Sequence, residues 1–327
     1  MNFDIVGVGN ALVDETYYVQ RDFVDSTGLP FNHFHPLTHE EQEKIIDSVP
    51  DGSGPEIVCG GSTTNSLAAA ANYGSRCGHI CQLGADAKGQ LYENDLSQNE
   101  IISLNQFHHT SFKTGRCLVL ITPNSERTMG TYLGASEQLK FDPIFIEHVN
   151  QAKILFSEGY QFTSTENYEA FIRILKSAKS HVKFALSLSD PFVIENFRDR
   201  VENVINLKRI DYLFCNLEEA KSLVGEDFIN ELPKIANNFV VTNGSEASTA
   251  YSNQEIQMIE PYKVKAIDSN GAGDIFAGSA LHKIIKGDNF FEACRFGNFA
   301  SSIIVQEKSP RLSKNKYAEI IRNFKSA

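Results

Sequence analysis

With 327 residues, of which 42% are hydrophobic, the chain is long enough for two domains or for one large α/β domain with an appendage. Its formal net charge of −11 argues against nucleic acid or an anionic membrane surface as main partner, so a polyanionic small ligand would need local donors: helix N-termini, a few Arg or Lys, or Mg2+. The scattered cysteines, Cys59, Cys77, Cys81, Cys117, Cys215 and Cys294, form no C-x-x-C pair, which argues against a zinc ribbon and for buried free thiols. No signal peptide and no apolar run of about 18 residues stands out, so a soluble cytoplasmic protein is expected.

Phe3–Val8 is an apolar run that ends in Gly7-Val8-Gly9-Asn10, a buried strand meeting a turn. A dinucleotide fingerprint would need a third glycine where Leu12 stands, and β-prone Leu12–Val19 follows instead of a helix. Asp14 on that second strand is either a solvated carboxylate or an acceptor for a ligand's hydroxyls. Arg21–Pro36 reads as loop; its His33 and His35, with His39 beyond, read as surface histidines rather than a metal site. Thr38 and Glu41 form a capping box for a helix over Thr38–Val49. Ile57-Val58-Cys59 then runs into Gly60-Gly61-Ser62-Thr63-Thr64-Asn65 and an alanine run: a strand, a two-glycine hinge, a cap and a small-residue helix. Asn65, in its first turn, suits a sugar or base. No G-x-x-x-x-G-K-[ST] occurs, which excludes a P-loop.

Gly78–Leu83 reads as a strand and Lys88–Asn99 as an amphipathic helix. Arg116–Thr122 and Arg127–Leu133, joined by Pro123-Asn124-Ser125-Glu126, predict a hairpin. With Leu12–Val19 it would form a small antiparallel sheet, a lid over a cleft. Arginines at such a hairpin are ordinarily solvated; in a lid, Arg116 or Arg127 can swing onto phosphates. From Lys153 strands and helices alternate: strand Ile154–Phe156, helix Thr165–Ala178, strand Phe184–Leu188, a helix to Leu207, strand Asp211–Cys215, another helix, and strand Phe239–Thr242. That alternation predicts a parallel sheet covered on both faces. Ligands bind beyond the carboxyl ends of such strands, where Ser187, Ser189, Asp190, Asn216, Glu219, Thr242 and Gly244 fall.

The same edge receives Asp268-Ser269-Asn270-Gly271-Ala272-Gly273-Asp274, followed by a helical apolar pattern. A glycine turn feeding a helix N-terminus makes an anion site. Asp274 would repel that anion unless it takes a proton from an attacking hydroxyl; on its own the stretch reads equally well as a glycine turn with an acidic cap. Two more helices, Phe290–Val305 carrying Asn298 and Tyr317–Phe324, complete the chain.

The Gly60–Asn65 stretch and the Asp268–Asp274 stretch, which is similar to D-T-x-G-A-G-D, resemble the two signature regions of the ribokinase-like (PfkB) carbohydrate kinases, and the resemblance runs along essentially the whole chain. Gly9-Asn10-Ala11-Leu12-Val13-Asp14, Thr114-Gly115-Arg116-Cys117, Arg127-Thr128-Met129, Leu186–Phe192 and Asn270 look most like the adenosine kinase-like branch. The resemblance implies a three-layer α/β/α sandwich with a mainly parallel central sheet and a small β-sheet lid. It divides the chain into a nucleotide-binding unit over 1–10, 36–108 and 136–327 and a lid over 11–35 and 109–135.

It further implies transfer of a phosphoryl group from ATP, with Mg2+ and optionally a monovalent cation such as K+, to a nucleoside or sugar, by a monomer or a lid-mediated homodimer. By the same resemblance Asp274 is the catalytic base and the N–H groups of Gly271, Ala272 and Gly273 form the anion hole. Asn10, Asp14 and Asn65 meet the acceptor, Gly60 and Gly61 are the lid hinge, and Arg127 approaches the phosphates. Asn216 and Glu219 organise Mg2+ through water, while Thr242, Gly244 and Asn298 lie on the nucleotide side. Ser269 replaces the family's Thr and keeps its hydroxyl. A free-sugar kinase, a non-catalytic sensor of the same fold and a vitamin-type alcohol kinase are the competing expectations; few basic residues near the lid disfavour a sugar-phosphate acceptor.

Overall fold

Continuous apolar runs and alternating runs build two different sheets in the computed structural model, which describes residues 2–30, 34–104, 111–124 and 126–324. In chain order the strands are β1 (Phe3–Val8), β2 (Leu12–Tyr18), β3 (Phe34–Pro36), β4 (Glu56–Gly60), β5 (Cys77–Ile80), β6 (Ile101–Ser103), β7 (Gly115–Ile121), β8 (Arg127–Tyr132), β9 (Ala152–Glu158), β10 (Lys183–Ser187), β11 (Ile210–Asn216), β12 (Ala236–Asn243), β13 (Glu246–Ser252) and β14 (Glu255–Ile259). The nine-stranded sheet has the order β14-β13-β12-β11-β10-β9-β1-β5-β6. Its strands run parallel from β12 to β6, and β13 and β14 extend it as an antiparallel edge.

Both faces of this sheet are covered, as its unbroken apolar runs require. Along β9, Leu155 faces one core with Phe171 and Val201, from the helices Thr165–Ser177 and Arg198–Leu207. Its neighbours Ile154 and Phe156 face the other, with Leu67, Phe276 and Cys294 from the helices Ser62–Asn72, Ala272–Lys286 and Phe290–Ile304. The result is the expected three-layer sandwich. All six cysteines are buried thiols. Among the described residues no helix is long and apolar enough to cross a membrane.

The smaller sheet, in the order β3-β8-β7-β2-β4, has one face toward the core: β2 alternates between buried and half-buried positions. It is mixed rather than antiparallel, because β2 runs parallel to β7 and β3 to β8, while only the β7–β8 hairpin and the β2–β4 pair are antiparallel. The expected boundary, which left residues 36–108 in the large unit, also fails at β4. Leu12 pairs with Gly60 and Thr16 with Glu56, so β4 belongs to the small sheet. The reason is local: β2 leaves the end of β1, and β4 enters the helix that packs on β1, so the two strands depart from one point.

Other differences are smaller. Arg21–Pro36 holds a helix, Arg21–Thr27, and β3; Phe23 and Val24 were too little apolar surface to betray the helix. The expected helix to Leu207 breaks at Phe197 into Pro191–Asn196 and Arg198–Leu207. His33 lies outside the described residues. His39 packs edge-on against the Tyr132 ring, and no group of metal-holding side chains occurs among the described residues.

Candidate active site

Winding of the large sheet reverses between β1 and β9, which pair from Phe3↔Ala152 to Val8↔Ser157. Such a reversal opens a crevice at the carboxyl ends of the strands. Glu158, the last residue of β9, sits there and is buried. Its Oε1 accepts from Asn10 N at 2.9 Å and its Oε2 from Thr63 N at 2.5 Å, tying the turn after β1 to the first turn of the helix Ser62–Asn72. Asn10 Oδ1 accepts from Gln161 Nε2 at 2.8 Å and Asn167 Nδ2 at 3.0 Å, which fixes its amide orientation. Between these segments lies the glycine hinge. Gly61 has φ +99°, and a Cβ there would collide with Asn10 O, so only glycine fits. The Tyr92 hydroxyl donates to Gly60 O at 2.7 Å.

The helices Ser62–Asn72 and Ala272–Lys286 cross at close range because one is rich in alanine and the other bears Gly278, whose absent Cβ would collide with Ser66 O. That approach brings Asn65 Nδ2 to 2.9 Å from Asp274 Oδ2 and Ser66 Oγ to 2.9 Å from Asp274 O. Half-buried Asp274 lies in the first helical turn after Gly271, whose φ of +75° begins the helix. Removal from water pushes its carboxyl up to about 6, against the hydrogen bonds of Asn65 and Ser62 and the charge of Arg311, which lower it. It is therefore ionised at neutral pH yet able to take a proton.

Beside it, Gly273 is exposed and a Cβ on it would meet nothing within 4 Å. Among the described residues the N–H groups of Gly271 and Gly273 have no acceptor. Ala272 N, expected to complete the anion hole, already donates to Ser269 O at 3.2 Å.

Asp14 projects from β2 into the same space. Gly60 is a glycine because a Cβ there would come within 2.7 Å of Asp14 Oδ2. Burial pushes the Asp14 carboxyl up to about 7, opposed by the charges of Arg311 and Arg127 and reinforced by Asp274. Glu158 is likewise raised to about 7 by burial, although its two backbone donors lower it. Arg127, at the start of β8, pairs with Asp268 at the entrance to the glycine turn, so it lies beside that turn without facing open solvent. Arg116, by contrast, is locked inside the small sheet by Gln42, Glu43 and Glu15 and is not available to swing.

At the end of β11 Asn216 and Glu219 form a capping box: Asn216 Oδ1 accepts from Glu219 N at 2.8 Å, and Glu219 accepts from Asn216 N at 3.0 Å and Nδ2 at 2.7 Å. Burial, with the charges of Asp190, Asp274 and Glu218, raises the Glu219 carboxyl to about 7, while the Asn216 backbone bond lowers it. Oxygen donors of this kind suit Mg2+; each Glu219 oxygen already accepts a hydrogen bond, which fits contact through water. Thr242 Oγ1 donates to Cys215 O at 3.4 Å. Gly244, φ +57°, turns β12 into β13 with open space around it. Asn298 Nδ2 donates to Glu260 O at 2.9 Å and so ties its helix to the segment after β14.

The family model for pfkB family carbohydrate kinases matches residues 37–316. The chain belongs to that family. This kinase is 25% identical over 333 residues to adenosine kinase 1 of Arabidopsis thaliana, covering 92% of this chain and 94% of that protein. It is 26% identical over 332 residues to the adenosine kinase of Dictyostelium discoideum, covering 94% and 95%. Among solved structures, the adenosine kinase from Sinorhizobium meliloti shares its fold with a TM-score of 0.87 at 24% identity, over 98% of this chain and 99% of that one. A probable sugar kinase from Rhizobium etli CFN 42 does so with a TM-score of 0.88 at 24% identity, over 98% and 99%. Membership makes this kinase an ATP-dependent phosphotransferase with an alcohol group as acceptor.

The structure of the kinase brings Asp14, Asn65, Asp274 and the Gly271–Gly273 turn together and ties Asn10 through Glu158 to Thr63, two residues before Asn65. Asn216 and Glu219 line the crevice further along the strand ends; Thr242, Gly244 and Asn298 lie beyond them. Two side chains that shape this centre escaped the sequence reading. Glu158 was findable, since it is a polar residue at the carboxyl end of a strand, the signal that singled out Ser187 and Asn216. Arg311 carried no such signal: it follows Ser309-Pro310 in a segment without periodicity and reaches Asn65 across 246 positions.

Proposed function

We propose that this kinase moves the γ-phosphoryl group of ATP to the primary 5′-hydroxyl of a ribonucleoside of the adenosine class. The observation that carries the proposal is the half-buried Asp274 carboxylate beside the free N–H groups of Gly271 and Gly273, with Asp14 facing it. The acceptor class is supported by the curated relatives matched over nearly their full length, which are adenosine kinases. Phosphoryl transfer spreads negative charge over the equatorial oxygens of a loose transition state, so positioning and charge stabilisation do most of the catalysis.

Asp14 accepts a hydrogen bond from the acceptor's hydroxyl groups. Asp274 orients the attacking hydroxyl and takes its proton, and the Gly271 and Gly273 N–H groups hold the developing anionic charge at the positive end of the helix. Arg127 leaves Asp268 for a phosphate oxygen. Glu219 would hold Mg2+ through water, where the ion would supply positive charge to screen the phosphates. The small sheet serves as a lid that excludes water as a competing acceptor, bending at Gly60 and Gly61. The reading includes a cytoplasmic location, K+ as an optional activator, and a monomer or a dimer paired through the lid. A free-sugar acceptor is the second reading, favoured by the fold shared with the probable sugar kinase.

The test is ATP consumption across a panel of ribonucleosides and free sugars, with Asp274→Asn as control. Turnover with adenosine that Asp274→Asn abolishes supports the proposal. Activity confined to free sugars overturns the nucleoside acceptor, and equal rates in the two proteins overturn the base.

A further inference from the structure

Arg311 lies between the helix Phe290–Ile304 and the helix Lys314–Asn323, outside both glycine stretches, and its side chain is only 8% exposed. Its Nε donates to Asn65 Oδ1 at 2.7 Å. Its Nη1 pairs with Asp95, on the helix Ala87–Gln98, and its Nη2 is enclosed with no partner among the described residues. Taking a guanidinium out of water costs several kcal/mol unless partners repay it. Here that charge stands one side chain away from Asp274.

The geometry dictates what Arg311 does there. A guanidinium only donates, whereas an amide donates from one end and accepts at the other. Arg311 therefore engages the oxygen end of Asn65, which turns Nδ2 toward Asp274 Oδ2. The flipped amide would set NH2 against the guanidinium and oxygen against the carboxylate, losing both hydrogen bonds. Asn65 is thus a fixed link in the series Asp95–Arg311–Asn65–Asp274.

The groups around Asp274 make the charge of Arg311 matter. The helix Ser62–Asn72 presents Ser62 and Asn65, both hydrogen-bonded to it. β2 presents Asp14, β9 presents Glu158 with Tyr160 after it, and the helix after β11 presents Glu219; each of these acidic groups is made harder to ionise by Asp274. Arg311 is the cation whose charge acts on Asp274 itself; it acts on Asp14 as well, ahead of Arg127, which is engaged with Asp268.

We infer that Arg311 is a positioning residue for the base: it holds the Asn65 amide in the orientation that donates to Asp274 and supplies the positive charge that offsets the surrounding carboxylates. The inference rests on the proposed role of Asp274. It explains why Asn65, expected to meet the acceptor, spends both ends of its amide within the protein.

The experiment follows the Asp274 side-chain carboxyl by carbon-13 NMR in aspartate-labelled protein, with the signal assigned by its loss in Asp274→Asn. In the wild type the midpoint is expected at about 6. Arg311→Gln removes the charge and is expected to raise the midpoint by about one unit or more, with the acid limb of kcat moving the same way. Arg311→Lys keeps the charge but not the fork. It is expected to shift the midpoint by less than half as much, while kcat falls about tenfold, the worth of one hydrogen bond in the transition state.

A midpoint in Arg311→Gln within about 0.2 unit of the wild type, against the shift an adjacent opposite charge produces, overturns the inference. Should that variant not fold, an unchanged kcat in Arg311→Lys overturns it instead. If the wild type phosphorylates no acceptor in the panel, the proposed function fails on its own, and the NMR midpoints still decide the role of Arg311.

Discussion

Two clusters of buried charge flank the β2 strand and are built on opposite terms. In the small sheet, Arg116 donates to Gln42 Oε1 at 2.6 Å and pairs with Glu15 and Glu43. Lys88 Nζ lies 2.9 Å from Glu15 Oε1, and Gln42 Nε2 donates to Arg116 O at 2.9 Å and Gly130 O at 2.7 Å. Every acid there has a cation, and Arg116 holds the Glu43 carboxyl below the usual range. In the crevice, burial raises Asp14, Glu158, Glu219 and Asp274 alike, and cations oppose it only in part: Arg311 at Asp14 and Asp274, Arg127 at Asp14. Full compensation makes a joint. Partial compensation leaves carboxylates that exchange protons near neutral pH, which a joint has no use for and a base requires.

The sharpest way to separate the two clusters is to neutralise one member of each. Asp274→Asn should lower kcat by about 10²–10⁴-fold, the usual worth of a general base, with little change in the urea midpoint. Arg116→Met should do the reverse. Removing the buried guanidinium leaves Glu15 with Lys88 alone and half-exposed Glu43 without its pair; this should cost about 1–3 kcal/mol of stability in urea unfolding, while kcat per folded molecule stays within about twofold of the wild type.

Titration sharpens the same contrast. The acid limb of kcat should rise through about pH 6 as Asp274 ionises. Stability should move the other way. The native Glu158 carboxyl, raised from 4.5 to about 7, holds its proton where the unfolded one has lost it. Its contribution is thus complete below the unfolded value and lost as pH rises through about 7, at most about 3 kcal/mol. Urea midpoints at about pH 5 and about pH 8 should show this fall, to which Asp14 and Glu219, raised to about 7 as well, add; Glu158→Gln should remove its share and make the fall smaller.

The smallest effects come from two glycines in one helix. Gly278→Ala drives a Cβ into Ser66 O and should cost about 1–3 kcal/mol, read as a lower urea midpoint. Gly273→Ala enters open space. It should leave stability within about 0.5 kcal/mol but raise the KM for ATP, because the methyl stands where the phosphate approaches.

Much of this molecule could be read from local pattern. Asp274 declared itself because its glycines, its helix and its carboxylate are adjacent in sequence, and β9 to β12 because apolar runs alternate with helical periodicity. Failures share another cause. β4 carries the same Ile57-Val58-Cys59 run whichever sheet receives it, and only its pairing with β2 decides. β13, reading EASTAYS, has small and polar residues on both faces and no apolar period to detect. Arg311 reaches Asn65 across 246 positions and Asp95 across 216, and no window of sequence contains them together.

Glu158 carries a mechanical consequence. The residues whose amides it grips, Asn10 and Thr63, stand just outside the ends of β2 and β4, so one carboxylate pins both crossings on the side of the large sheet. Any tilt of the small sheet at these two crossings is then confined to Ala11 and the Gly60-Gly61 pair, with Glu158 as the fulcrum. Amide exchange at Asn10 and Thr63 would track unfolding of the large sheet, whereas exchange at Ala11, whose N–H donates to Ser136 Oγ at the crossing, would track the swing itself.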